Sequence, residues 1–430
     1  MLALLFALQA AVSSGPPDSL PQVTLREALQ RAARLDPNYV AALGQVENAA
    51  WGRRNAFTAF VLPSVAIGAN LQRTNPSQFF FTNQIIRVEQ TWTTQLVARY
   101  DLFTGGQKFA ELSRSGAALE GAHAEELRQR FATALLTEAD YYAVLADAEL
   151  DRVARERLRR ANEQLSVARA RVVSGAAVST DSLNLRLELA RAQVGQLVQA
   201  SLLRVARLEL GRRVGAAGPV DAAPLDTAAA PELPITLADA VTEAAQQGPA
   251  YRVAAADERA ANAAYRFELG NYLPHAALTL NAIAVDTAFY PKLFKQTTVT
   301  LGFSFPIWNN GQRELNLSRA RTIKNVARAT REDMDRAVLL DVSAAYDAYE
   351  TARASADVAR NAVVVAREGF RVQQSRYSAG ATTILDLITS QVALSEAEAT
   401  RVQADYSRRL ALAGLESILG RRLFTDKGNP

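Results

Sequence analysis

The sequence predicts a mainly helical protein with a β-barrel part, in which a unit of two strands and one long helical hairpin occurs twice. Three observations predict this: an internal repeat over most of the chain, two proline-free stretches far longer than an ordinary domain helix, and alternating apolar segments of membrane-strand length. Over 430 residues the hydrophobic share is 49% but aromatics are only 7%. Alanine carries much of that share, which favours close helix contacts over one thick core.

Each half opens alike, with VTLREALQRAARLDPNYVAA from Val23 and ITLADAVTEAAQQGPAYRVAA from Ile235. Both read as a β-type residue, a Thr N-cap with an acid three positions on, a short helix, and a Pro that starts a second helix. Pro63 and Pro274 then stand in matching Leu-Pro pairs. Beyond them Gly106/Gly311, Arg114/Arg319, Tyr141/Tyr346, Gly175/Gly380 and Asp181/Asp386 hold one constant offset, which chance does not do over such a length. The repeats are expected at 23–214 and 235–420, each as a large structural unit, joined by a Pro/Ala-rich linker at 215–234 and followed by a tail at 421–430. Residues 1–14, an apolar run ahead of small residues and a Gly-Pro-Pro break, resemble a secretory signal peptide cleaved near Ser13; the alternative is a buried helix start.

Along the first repeat, strands are expected at about 64–73 and 90–103, with Trp92, Leu96, Ala98, Tyr100 and Leu102 on one face and Thr93, Gln95, Arg99 and Asp101 on the other. The second repeat should have strands at about 275–285 and 296–307, with Val299, Leu301, Phe303, Phe305 and Ile307 opposite Thr298, Thr300, Gly302 and Ser304. This pattern suits either a tilted strand in a bilayer or a strand of a soluble sandwich. Each second strand ends in a glycine-rich joint, at Gly105 and Gly106 and at Asn310 and Gly311, where the chain must bend into helix. Trp308 is expected at a membrane interface.

The helical hairpins follow, over about 107–214 and 312–419. Their first arms run for about 66 residues without proline, or about 100 Å as helix. In the second repeat Val342, Tyr349, Ala356, Val363, Phe370 and Tyr377 recur every seven residues, with Ala345, Ala352, Ala359, Ala366 and Gln373 three positions later. This heptad seam with small d residues implies supercoiling against a neighbouring helix. Gly175 and Gly380 supply the positive φ of a tight turn between the arms.

No stretch approaches the roughly 20 apolar residues of a spanning helix, so any membrane crossing must be made by strands. Four strands per chain cannot close a barrel, and open edges in lipid would leave backbone groups unpaired. Closure therefore requires several chains. The net charge of +4 is spread through Arg/Glu-rich stretches, without the basic patch that nucleic acid would need. The absence of cysteine removes disulfides and thiolate metal sites. The only histidines, His123 and His275, are far apart, and no nucleophile, metal or phosphate-loop spacing occurs. No enzymatic activity and no cofactor are expected.

The duplication, the paired Leu-Pro, the joints LFTGGQ from Leu102 and PIWNNGQ from Pro306, and the tips RVVSGAAVSTD from Arg171 and RYSAGATTILD from Arg376 together resemble the TolC family of bacterial outer-membrane efflux proteins. The resemblance covers essentially the whole mature chain. It implies a homotrimer whose twelve strands form a β-barrel in outer-membrane lipid, continued by a long α-helical barrel across the periplasm. It further implies an exit duct for small molecules or proteins in a tripartite efflux or type I secretion system. The partners would be a periplasmic adaptor (membrane fusion) protein and an inner-membrane pump of RND, ABC or similar type.

The same resemblance implies that the helical tips close the periplasmic entrance. Asp386 matches a family ring aspartate, Thr389 stands at the second ring position, Tyr377 matches a linking tyrosine with Asp181 as its acidic partner, and Thr382 replaces a linking arginine. Adaptor docking would fall at Gly175, Ala176, Gly380 and Ala381. For Asp181 and Asp386, helix capping after the glycine turn is the alternative role. The competing class is a soluble or periplasmic coiled-coil adaptor, which would carry one hairpin and no duplication.

Overall fold

A computed structural model describes residues 20–73, 79–81, 84–86, 90–175, 178–225, 232–287 and 294–424. The suspected signal peptide at 1–14, the docking residue Ala176 and residues 425–430 of the tail lie outside the described residues. The chain divides into two compact units, one of Met1–Val40, Gln129–Val241 and Asp341–Pro430, the other of Ala41–Arg128 and Thr242–Leu340. The repeats read from the sequence, 23–214 and 235–420, therefore each contribute segments to both compact units. Each compact unit takes segments from both halves, because strands of the two halves share one sheet and helices of the two halves share one core.

In the first unit, β1 (Gln22–Val23) leads into α1 (Leu25–Leu35). Thr24 caps α1 by accepting from the Glu27 N–H at 3.3 Å. Asp36 then accepts from the N–H groups of Asn38 and Tyr39 at 2.9 and 3.0 Å, which starts α2 (Pro37–Val61). These are the local signals that Thr, Asp and Pro carry at helix starts. The main helices are α3 (Gln107–Val173), α4 (Ser179–Arg213), α7 (Gln312–Ser378) and α8 (Ile384–Leu419).

One core gathers Val23, Ala28, Tyr141, Val144, Leu210 and Val220, and the Tyr141 hydroxyl donates to the Ala223 carbonyl at 2.7 Å. Val220 and Ala222 of this core lie in the stretch expected to be a plain linker. Within this linker β6 (Asp221–Ala222) pairs in parallel with β1, and Arg207 holds Asp221 at 2.8 Å. Burial of Val220 and Ala222 is what draws the linker into the core. On α7 all six heptad positions from Val342 to Tyr377 are buried, while most of the alanines three positions on are half-buried. The seam is a real packing face, and its small d residues let neighbouring helices approach.

In the second unit, α5 (Leu237–Gln247) and α6 (Pro249–Gly270) repeat the Thr and Pro signals, with Asp239 donating its N–H to Thr236 Oγ1 at 3.2 Å. A four-stranded antiparallel sheet follows the order β2-β5-β7-β8: β2 (Ser64–Arg73), β5 (Gln90–Thr104), β7 (His275–Asp286) and β8 (Phe294–Ser304). The short strands β3 (Phe79–Phe81) and β4 (Gln84–Ile86) pair with each other between β2 and β5.

The register sorts side chains by face. Val65, Ala98, Leu280 and Val299 form one cross-sheet row, and Ile67, Leu96, Ala282 and Thr297 another. The opposite face carries rows such as Gly68, Gln95, Ile283 and Gln296, or Asn70, Thr93 and Val285. Two expectations for these strands are corrected. The strand expected to reach 307 stops at Ser304, since Pro306 has no N–H to extend the ladder. Phe305 and Ile307 therefore lie beyond β8, both exposed, as is Trp308. In β5 the alternation breaks at a bulge between Asp101 and Phe103, which leaves Leu102 unpaired.

Candidate functional site: the hairpin tips and strand-to-helix joints

The tip of the second hairpin is built by a Schellman turn. Gly380 has φ +75°, its N–H donates to the Tyr377 carbonyl at 3.0 Å, and the Ala381 N–H donates to the Arg376 carbonyl at 2.8 Å. Gly175 makes the corresponding turn after α3, with φ +73° and its N–H on the Val172 carbonyl at 3.1 Å. A Cβ on Gly175 would meet nothing within 4 Å, so the positive φ, and not crowding, is what calls for glycine there.

Two polar clusters occupy these tips. In the first, Thr383 caps α8 and Asp386 completes a capping box: the Asp386 N–H donates to Thr383 Oγ1 at 3.2 Å, and the Thr383 N–H donates to Asp386 Oδ2 at 3.2 Å. The hydroxyls of Thr383 and Thr382 also donate to Oδ2, at 2.7 and 2.9 Å. These hydroxyl bonds, with the backbone bond, hold the Asp386 carboxyl below the ordinary carboxylate range. Thr389, one turn on, is exposed, and its hydroxyl returns to the Leu385 carbonyl at 2.9 Å.

The second cluster joins three helices. The Tyr377 hydroxyl on α7 stands 3.5 Å from Asp181 Oδ2 on α4. Arg171 on α3 donates to the Tyr377 carbonyl and lays its guanidinium 4.9 Å from the Tyr377 ring centre. Burial, then the Asp181 charge, pushes the Tyr377 hydroxyl pKa up, so it stays a donor. Capping as the role of Asp181 is corrected: Val178 is the N-cap of α4 and no side-chain cap bond forms there. Asp386 does cap its helix, and Thr382 belongs with Asp386 rather than with Tyr377 and Asp181.

Sequence reasoning missed Arg171 as a participant. It stood in the quoted tip motif, but its contact runs to a residue 206 positions away, which no local spacing reveals.

At the joints, Gly105 and Gly106 have φ +59° and +85°, and Asn310 and Gly311 +57° and +76°. Two consecutive left-handed residues turn each strand exit into a helix start. At Gly105 space matters as well, because a Cβ would run into the Gly270 carbonyl and come within 2.9 Å of Leu273 Cβ. Gln107 fastens this joint by donating to Asn271 Oδ1 at 2.8 Å. At the second joint Arg313 donates to the Pro306 carbonyl at 3.0 Å and stacks 4.2 Å from the Tyr272 ring centre.

Among the described residues no group of acids, histidines or cysteines could hold a metal, and no helix is long and apolar enough to cross a membrane. What the second unit offers a bilayer is its sheet, one face of which is a row-by-row apolar surface left open by the single chain.

Comparison with known proteins agrees with this geometry. Residues 240–421 match the family described as outer membrane efflux protein. The chain is 27% identical over 416 residues to the pyoverdine export outer membrane protein OpmQ of Pseudomonas putida, covering 92% of this chain and 85% of that one. Its fold matches the CmeC outer membrane channel of Campylobacter jejuni with a TM-score of 0.79, at 15% identity over 94% of this chain and 87% of that one. It also matches the outer membrane protein VceC of Vibrio cholerae with a TM-score of 0.77, at 15% identity over 93% and 97%. Strand-built amphipathic sheet, paired long hairpins and these relatives point the same way: residues 240–421 match the outer membrane efflux protein family, and the whole chain is similar in sequence and in fold to outer membrane channel and export proteins.

Proposed function

We propose that three copies of this chain form the exit duct of a tripartite export system, opened at its helical tips by a periplasmic adaptor and an inner-membrane pump. The observation that carries this reading is the sheet. Its order β2-β5-β7-β8 leaves β2 and β8 as edges with no further partner strand among the described residues, and its apolar face is exposed at Val65, Ile67, Val299, Leu301 and Phe303. Such edges and such a face are tolerable only when neighbouring copies pair the edges and lipid covers the face. Three copies supply twelve strands. On α4 the exposed Leu187, Val194, Val198 and Val205 form a second apolar stripe at heptad-like spacing, suited to contact with another copy.

In this reading Tyr377, Asp181 and Arg171 link helices in the closed state, while Asp386, Thr382 and Thr389 line the narrowing entrance. Gly175, Gly380 and Ala381 present a small-residue surface to the adaptor, and Gly105, Gly106, Asn310 and Gly311 carry the chain from barrel strand to tube helix. The export name of OpmQ favours small-molecule cargo over protein. The test is purification in detergent followed by planar-bilayer recording. Heat-sensitive trimers on gels and discrete ion conductance are expected; extraction by salt wash as a monomer without conductance would overturn the proposal.

A further inference from the structure

A cavity of about 720 Å³ in the first unit is unrelated to the tips and joints. Its walls come from α3, from the segment after β6, and from α7 and α8. Five arginines line it (Arg152, Arg360, Arg401, Arg408 and Arg409) against three carboxylates, Glu149, Asp221 and Asp405. Each carboxylate already has a cation. Arg152 holds Glu149 at 2.6 Å, Arg207 holds Asp221 at 2.8 Å, and Asp405 lies 3.5 Å from Arg401 and 3.8 Å from Arg360.

Arg408 differs from the others. It is only 8% exposed, its Nε is buried without a hydrogen-bond partner, and among the described residues no ion pair engages its guanidinium. A buried cation without a counter-charge is unfavourable, and a guanidinium offers a planar fork of donors matched to an oxyanion. The rest of the lining is apolar, with Leu145, Leu225, Val402 and Tyr406 beside the arginines. The volume falls in the range of small-molecule pockets, roughly 300–1,000 Å³. With five arginines against three carboxylates the lining carries a net positive charge, which attracts anions.

We infer that this cavity binds a small organic anion, its carboxylate, sulfonate or phosphate head paired with Arg408 and its apolar body against Leu145, Leu225, Val402 and Tyr406. The inference does not rest on the export reading, and either can fail without the other. The experiment is calorimetric titration of the full-length protein in lipid nanodiscs with naphthalene-2-sulfonate. One saturable site per chain is expected, displaced by inorganic phosphate, weakened at least tenfold in Arg408→Gln and unchanged in Arg336→Gln, an exposed arginine of the other unit. Absence of saturable binding, or equal binding by Arg408→Gln, would overturn it. Should Arg408→Gln not assemble, crystals of the unmodified protein soaked in 4-bromobenzenesulfonate decide the matter. A bromine anomalous peak inside the cavity supports the site, and a peak elsewhere or none refutes it.

Discussion

At the residue scale the tips show two ways in which one carboxylate can be used. Asp386 is spent on its own helix start, where three donors keep its carboxyl ionised well into acid. A depressed folded-state pKa contributes stability above the unfolded value, about 3.9, and that contribution is lost as pH falls through the lower folded value. The difference in thermal midpoint between the protein and Asp386→Asn should therefore be constant from pH 7 to 5 and shrink below about pH 4. A difference that grew on acidification would contradict the capping-box account. Asp181 has no such local role and points its charge at Tyr377. Tyr377→Phe should cost roughly 1 kcal/mol or less, as befits one long hydrogen bond. If the cluster holds the tips shut, Tyr377→Phe should raise closed-state conductance in planar bilayers. Arg171→Ala should raise it further, since Arg171 touches both the carbonyl and the ring of Tyr377.

At the element scale the joints and helix ends decide whether long helices start and stop where they must. Gly105 and Gly106 share a positive φ, yet only Gly105 faces the Gly270 backbone. Gly106→Ala should cost about 1 kcal/mol of backbone strain. Gly105→Ala adds a clash with backbone that cannot move cheaply, and heat-modifiable trimer on gels should fall much further for it than for Gly106→Ala. After α8, Arg422 reaches back to Glu138 on α3 and donates to Glu416 at 2.7 Å, both carboxylates being almost wholly buried. Removing the shared cation strands two buried charges. Arg422→Ala should lower stability by about 3 kcal/mol, read by denaturant unfolding, whereas surface pairs such as Arg336 with Asp333 should be worth under about 1 kcal/mol.

At the scale of the whole molecule, fold class and the likeness to outer membrane efflux proteins were legible because both depend on patterns written along the chain. Period two in the strands and glycine at the turns, both recurring in each half, and period seven on α7 are local properties. Strand ends were less legible, since Pro306 stops β8 early and a bulge at Leu102 shifts β5, effects that belong to the ladder. The candidate site was legible in part. Tyr377, Asp181 and Asp386 could be singled out from the tip motifs, but not which of them touch, and Arg171 stayed hidden because its partner lies on another helix.

The sequence by itself determined what each segment is: helix lengths, turn positions and the amphipathic sense of the strands. Those follow from short-range sterics, capping and hydrophobic period, which act within a few residues. Only the tertiary structure decided that compact units cut across the two repeats, that the linker joins the core as β6, that Asp181 faces Tyr377 instead of capping, and that Arg408 is buried with its Nε unpartnered among the described residues. Each of these depends on which distant elements meet. That is settled by strand edges pairing and apolar faces burying one another, a choice that no local stretch of the chain encodes.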